Sequence, residues 1–212
     1  MRITDIVQQV KNKKRYSVFV EGEFAFGIDG VDLLAHGLEI GQTLDRSRYV
    51  DLLKQLEYAK CRDTAVRILA SGAKTVQTMR KKLAQKEYSP GAIDAVVELL
   101  AEKGYLDDVA FSQAFISHKT KISNYGRRRI EQELRIKGVS DKDIRKAYES
   151  QAQEAWDEGE IDGARRALEK KLRNKPFPQD FKELQRLKGF LVRRGFGFET
   201  IEKVVGEQSG DD

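Results

Sequence analysis

The densest chemistry in this chain is the run Arg127, Arg128 and Arg129, with Arg135 following on the same predicted helix. A guanidinium group is always charged and presents its donors as a planar fork, so it grips phosphate or carboxylate through two parallel hydrogen bonds. On a helix beginning at Tyr125, Arg128 and Arg135 lie two turns apart and return to within about 20° of each other. They share a side opposite Ile130 and Leu134, whose spacing marks the core-facing stripe. Arg127 and Arg129 flank them, and Glu131 and Glu133 are placed to pair with them one turn along the helix. Lys137 closes the segment. Lys81, Lys82 and Lys86 earlier in the chain, and Arg193 and Arg194 later, occupy comparable places. Tyr125 beside Gly126 offers a ring on which an unstacked base could lie, whereas Phe111 and Phe115, one turn apart, are assigned to the core.

Little else in the sequence can do chemistry. His36 and His118 have no ligand spacing between them, and the single cysteine, Cys61, excludes both an internal disulfide framework and a cysteine-rich zinc site. The stretch "SGAKT" lacks the adjacent Gly-Lys-Thr of a phosphate loop and follows no strand. "GFGF" at Gly195 is too short for a dinucleotide fingerprint, and the acids of "LDD" at Asp107 and Asp108 suit a helix start. We therefore expect a binding protein with no catalytic, metal or cofactor residues.

The elements that position the arginines repeat. "LAQKEYSPGAIDAV" from Leu83, "LRIKGVSDKDIRKA" from Leu134 and "LVRRGFGFETIEKV" from Leu191 align without gaps. Each has Leu, a base (Lys86, Lys137, Arg194), an apolar residue (Tyr88, Val139, Phe196) and Ile (Ile93, Ile144, Ile201) at matching offsets, with a further apolar residue one turn before the Leu. The pattern is helix, tight turn, helix, and self-similarity of this kind marks stacked modules. Gly138 and Gly195 suit a turn with positive φ; Glu87 does not, so the first turn is expected to differ. Helices are predicted from Ser47 to Gly72, bending near Cys61, and then over Lys74 to Lys86, Ser89 to Lys103, Asp107 to Ile122, Tyr125 to Lys137, Ser140 to Gln153, Asp157 to Arg173, Gln179 to Arg194 and Phe198 to Gly206. These form three tandem three-helix, helix-turn-helix-like repeats over residues 47–106, 107–150 and 151–212 in an elongated, curved, mainly α array. Trp156 is expected to anchor a packing contact, and "NKPFP" marks a linker inside the third repeat.

Residues 1–46 differ in kind. Tyr16, Val18 and Val20, then Phe24, Phe26 and Ile28, alternate on either side of "EG", the period-two signal of a β-hairpin. A strand near Ile3 to Val10 and a short helix near Val31 to Leu38 complete a small meander. Its "KNKKR" connection is read as a solvated turn in preference to a nucleic-acid contact.

Charge is distributed in blocks. The net charge is only +5, yet residues 60–86 hold eight bases against one acid, 107–146 ten against six and 164–194 eleven against three, while 147–163 holds six acids and no base. Basic surfaces recurring with the repeat suit phosphates along one side of the molecule. No apolar run reaches membrane-spanning length and the N-terminus lacks a signal-peptide centre, so a cytosolic location is expected.

The stretch "KGYLDDVAFSQAFISHKT" followed by "YGRRRIEQELRIKGVS" resembles the RecX family, bacterial regulators of the RecA recombinase. The resemblance spans roughly Leu52 to Gly206, and the N-terminal hairpin is similar to an extension on some members from Gram-positive bacteria. It implies three tandem helix-turn-helix-like units that bind the groove of the RecA filament on single-stranded DNA. Such binding would alter filament extension, ATP hydrolysis and strand exchange, usually as an inhibitor, in recombination, repair and the SOS response. Implied partners are the RecA nucleoprotein filament and single-stranded DNA, with duplex DNA as a non-specific alternative. A monomer is expected, and the absence of an obvious dimerisation heptad argues against a palindromic-site repressor. A standalone DNA-binding module and a helical protein-interaction scaffold remain the alternatives.

Overall fold

The structure is a computed structural model that describes residues 1–149, 153–173 and 175–209, with the side chains of all but 153–156 and 209. Three strands, β1 (Ile3–Gln8), β2 (Arg15–Val20) and β3 (Glu23–Asp29), form an antiparallel meander in chain order. The turn between β2 and β3 places Glu21 and Gly22 at positive φ (53° and 85°), the hairpin geometry that matches strand twist. Alternation sends Val18, Val20, Phe26 and Ile28 inward, where a short helix α1 (Gly30–Ala35), Leu38 and Leu44 cover them.

Among the described residues nine α-helices follow: α2 (Arg46–Ala70), α3 (Val76–Ala84) and α4 (Pro90–Glu102); α5 (Asp108–His118), α6 (Arg127–Ile136) and α7 (Asp141–Glu149); α8 (Gln153–Leu172), α9 (Phe181–Arg193) and α10 (Phe198–Ser209). Each trio packs on its own core. Met79, Leu83, Ile93 and Val96 centre the first; Ile116, Ile130, Leu134 and Ile144 the second; Leu187, Leu191, Phe196 and Ile201 the third. The aligned Leu and Ile of the three sequence copies are therefore equivalent core residues. The accessible surface, 13632 Å², exceeds the roughly 10,000 Å² of a compact chain this size, as separate modules require.

Helix α2 belongs to two cores at once. Its first half buries Leu52 and Leu56 against the β-meander, and its second half buries Cys61 and Ala65 in the first helical unit. The helix runs uninterrupted past Cys61. Its N-cap is Asp45, whose carboxylate accepts from the Arg48 amide at 2.8 Å, so it starts slightly before the Ser47 cap read from sequence. The helix expected to reach Ile122 changes character: α5 ends at His118 and a π-helical turn, Lys119–Ser123, follows, closed by Asn124 at φ 50°. Residues 150–152, over which the sequence extends α7 toward Gln153, and the side chain of Trp156 lie outside the described residues.

The first repeat turn corrects an expectation. Glu87 takes φ 63°, beside 82° at Gly138 and 90° at Gly195, so all three copies make the same left-handed turn. The difference lies in what approaches the turn from outside.

Candidate nucleic-acid interface

All the candidate bases sit on or at the end of the second helices α3, α6 and α9. Two of these helices, α3 and α6, are each fixed at the N-terminus by the following unit, while Asp180 of its own unit caps α9. At the first junction the Thr75 hydroxyl donates to the Lys137 carbonyl at 2.7 Å, and Asp108 accepts from the Val76 amide at 2.9 Å. At the second the Gly126 amide donates to the Arg194 carbonyl at 2.9 Å, the Arg128 amide to the Gly195 carbonyl at 3.2 Å and the Arg127 amide to Glu160 at 3.2 Å. Otherwise orphan helix N–H groups are thus satisfied by the neighbour. Asp108 and Glu160 are quasi-equivalent acceptors. Burial pushes both carboxyls above their ordinary range, assisted by Asp143 and Asp107 around the first and Asp157 beside the second, although the donated backbone N–H bonds pull the other way.

Close approach explains the glycines better than φ does. A Cβ on Gly138 would lie 2.4 Å from Gln77 Cβ, one on Gly195 2.4 Å from the Arg129 nitrogen, and one on Gly126 2.4 Å from the Gly195 carbonyl. Glu87 stands in the first unit, where no earlier helical repeat docks; its side chain is exposed and its turn needs no missing Cβ.

The structure sorts the candidate residues into two groups. Arg127 pairs with Glu131 at 2.8 Å and lies 4.3 Å over the Tyr148 ring. Arg129 reaches Glu133 at 3.4 Å, which also takes Lys119 at 2.7 Å; the carboxyl is held below its usual value because these cations outweigh its burial. Arg135 bridges Asp141 at 2.7 Å and Glu131 at 3.4 Å, so it is not presented jointly with Arg128. Arg194 is a junction residue. Its guanidinium donates to the carbonyls of Ser123 at 2.8 Å and Asn124 at 3.3 Å, capping the π-helical turn of the preceding unit. Tyr125 is half-buried, with Arg129 3.9 Å and Lys119 5.1 Å from its ring centre and Arg194 at 5.6 Å, so cations occupy the faces expected to receive a base. Lys137 lies 5.5 Å over Phe115.

The second group is free. Lys81, Lys82, Lys86, Arg128 and Arg193 are exposed, and their side chains make no hydrogen bond or ion pair among the described residues. Arg128 opens onto a cleft of about 520 Å³ between the second and third units, which it shares with Glu160, Phe198, Glu199 and Lys203. Among the described residues no group of His, Cys, Asp or Glu could hold a metal ion, and no helix is long and apolar enough to cross a membrane. Sequence reasoning placed Asp108 at a helix start, where it is, but missed its contact with the preceding unit, and it missed Glu160 and Arg166, whose guanidinium reaches Asn124 Oδ1 at 3.0 Å; nothing in their local pattern marks contacts to the neighbouring unit.

Four family descriptions match along the chain in the order of its cores. The N-terminal domain of regulatory protein RecX matches residues 1–45, and the first, second and third three-helix domains of RecX match 61–100, 107–147 and 158–205. The chain belongs to the RecX family. It is 32% identical over 205 residues to the regulatory protein RecX of Caldanaerobacter subterraneus, covering 97% of this chain and 98% of that one. It is 30% identical to the RecX of Clostridium botulinum, covering 97% and 95%. Among solved structures, a crystal structure of regulatory protein RecX superposes with a TM-score of 0.69 at 23% identity, covering 96% of this chain and 98% of that one. RecX from Lactobacillus salivarius gives 0.64 at 17%, covering 72% and 97%. These two likenesses bear on the fold alone, the first over nearly the whole chain and the second over about three quarters of it.

Proposed function

We propose that this RecX protein regulates the RecA recombinase by lying along the groove of its filament on single-stranded DNA, where bridging successive subunits limits filament extension, ATP hydrolysis and strand exchange. It acts as a regulatory binding protein, without a cofactor, as a monomer in the cytoplasm. The observation that carries this reading is the repeat of the junction. Two quasi-equivalent contacts link three second helices in a row, and cations without an acceptor among the described residues remain on or beside all three: Lys81, Lys82 and Lys86, then Arg128, then Arg193. A stack of modules that touch only their neighbours is suited to an extended, repeating partner. Repeating phosphates and carboxylates reward cations that have no internal acceptor.

The ion-paired arginines contribute less directly. Exposed pairs such as Arg135 with Asp141 are worth only about 0–1 kcal/mol and can exchange for a phosphate, so Arg135 is a secondary contact. A sequence-reading DNA-binding module is disfavoured because the N-terminus of α6, the part of a recognition helix that usually meets base edges, is covered by Gly195 and Arg194. The test is titration of the protein into RecA with single-stranded DNA, following sedimentation and ATP hydrolysis. Co-sedimentation with a falling ATPase rate is expected. Absence of both would sink the reading, and sequence-selective duplex binding without RecA would favour the standalone module.

A further inference from the structure

The N-terminal meander carries an apolar groove that neither its fold nor the filament reading uses. It lies between the β1–β2 connection and the start of α1, has a volume of about 600 Å³, and is lined chiefly by Lys13, Lys14, Tyr16, Val31 and Leu34. The volume falls within the range of ligand and peptide pockets. The groove is built rigidly. The Gly30 amide donates to the Lys14 carbonyl at 2.9 Å, the Arg15 amide to the Asn12 carbonyl at 2.9 Å, and a Cβ on Gly30 would press on the Tyr16 ring at 3.1 Å.

Two features of this rim are unusual for a surface. Helix α1 sends Leu33 down to the meander core, yet Val31 and Leu34, which share its outer face, are 79% and 82% exposed. Single exposed aliphatics are ordinary; an adjoining pair at the mouth of an apolar groove is the signature of an interaction site. The charge beside it is one-sided. Lys11, Lys13 and Lys14 are exposed and their ammonium groups have no acceptor among the described residues, while the one carboxylate in the groove, Asp29, is shared with Arg15 at 3.7 Å.

We propose that this groove is a docking site for an acidic peptide segment carrying bulky apolar side chains, presented by a partner protein. Leucine- or phenylalanine-like side chains enter between Tyr16 and the Val31–Leu34 pair, and flanking carboxylates meet the lysine loop. Nucleic acid fits the site less well. Val31 and Leu34 at the mouth reward bulky apolar side chains, which a sugar-phosphate backbone does not supply, and Tyr16 is a single ring where a strand of bases would need a series of them. The site lies on a different core from the cations of the second helices, so the chain can hold a second partner while engaged elsewhere.

The test uses the full chain and a fluorescein-labelled heptapeptide in which aspartate and glutamate alternate with leucine and phenylalanine, with a control peptide whose acids are replaced by lysine. Saturable anisotropy is expected for the acidic peptide only, weakening with salt. Val31→Asp with Leu34→Asp, and separately Lys13→Glu with Lys14→Glu, should each raise Kd about tenfold or more, since each removes contacts central to the site. These residues are exposed, so the thermal midpoint should hold, and it is measured alongside. Four outcomes overturn the proposal: no saturable binding, unchanged affinity in both variants, displacement of the peptide by a single-stranded oligonucleotide, or a dimer in sedimentation velocity that Leu34→Asp dissolves.

Discussion

Replacing Gly195 by alanine should disconnect the third unit from the second without unfolding either. The added methyl would sit 2.4 Å from the Arg129 nitrogen and 2.5 Å from Arg129 Cβ, both fixed parts of α6. An L-residue at this turn, φ 90°, also carries a left-handed penalty of roughly 1–2 kcal/mol. Accommodation by overpacking costs about 1–3 kcal/mol, and the alternative is to open the junction. Opening breaks the Gly126-to-Arg194 and Arg128-to-Gly195 backbone bonds, each worth about 1 kcal/mol, and exposes the N-terminus of α6. Either route costs about 2–5 kcal/mol in total. In denaturant the variant should show a separate early transition for the third unit and a larger radius of gyration by small-angle scattering. The wild type should already exceed the compact-chain value of about 17 Å. Glu87 supplies the control: Glu87→Gly removes left-handed strain where no helical repeat docks and should stabilise the first unit by about 0.5–1 kcal/mol. If Gly195→Ala leaves the transition single and the radius unchanged, the junction argument is wrong.

Three further outcomes follow from the same contacts. Arg128→Ala should leave stability within about 0.5 kcal/mol of wild type and flatten the salt dependence of single-stranded DNA binding by up to about 0.7 log units per lost phosphate contact, read by fluorescence titration. Arg194→Ala should do the reverse, costing about 1.5–3 kcal/mol through the lost bonds to Ser123 and Asn124 while leaving the salt slope alone. Glu160→Gln keeps an acceptor for the Arg127 amide and removes a titration. Because burial raises the folded-state value of Glu160, its contribution to stability is full below the ordinary glutamate range near 4.3 and declines as pH rises through the raised value. The stability of Glu160→Gln relative to wild type should therefore improve between about pH 4 and pH 7, measured by denaturant midpoints.

The aligned Leu and Ile positions made the three cores legible, because apolar spacing along a helix depends only on local geometry. Both hairpin strands were visible for the same reason. Residues acting between units were not. Arg194 and Arg128 look alike in a sequence, but one ends a helix beside the carbonyls that the π-helical turn leaves exposed, and the other starts a helix facing a cleft. The expectation for Glu87 erred because it treated φ as the glycines' whole purpose, when Gly138 and Gly195 must also admit a neighbouring chain. Tyr125 misled similarly: its polarity and its neighbour Gly126 suggest exposure, and only the fold brings Lys119, Arg129 and Arg194 around its ring.

The central claim, that the second helices of successive units face the RecA filament, can be tested by site-specific cross-linking. Cys61 is buried and its thiol is pushed up to about 11, chiefly by burial, so a maleimide photo-cross-linker should spare it and label an introduced cysteine. Ala84→Cys, Gln132→Cys and Val192→Cys place the label on α3, α6 and α9 at exposed positions, and Glu98→Cys and Lys142→Cys place it on α4 and α7. On filaments assembled with single-stranded DNA, the account predicts cross-links to RecA or DNA from all three second helices and few from α4 or α7. Equal cross-linking from every site, or cross-links confined to α4 and α7, would contradict it.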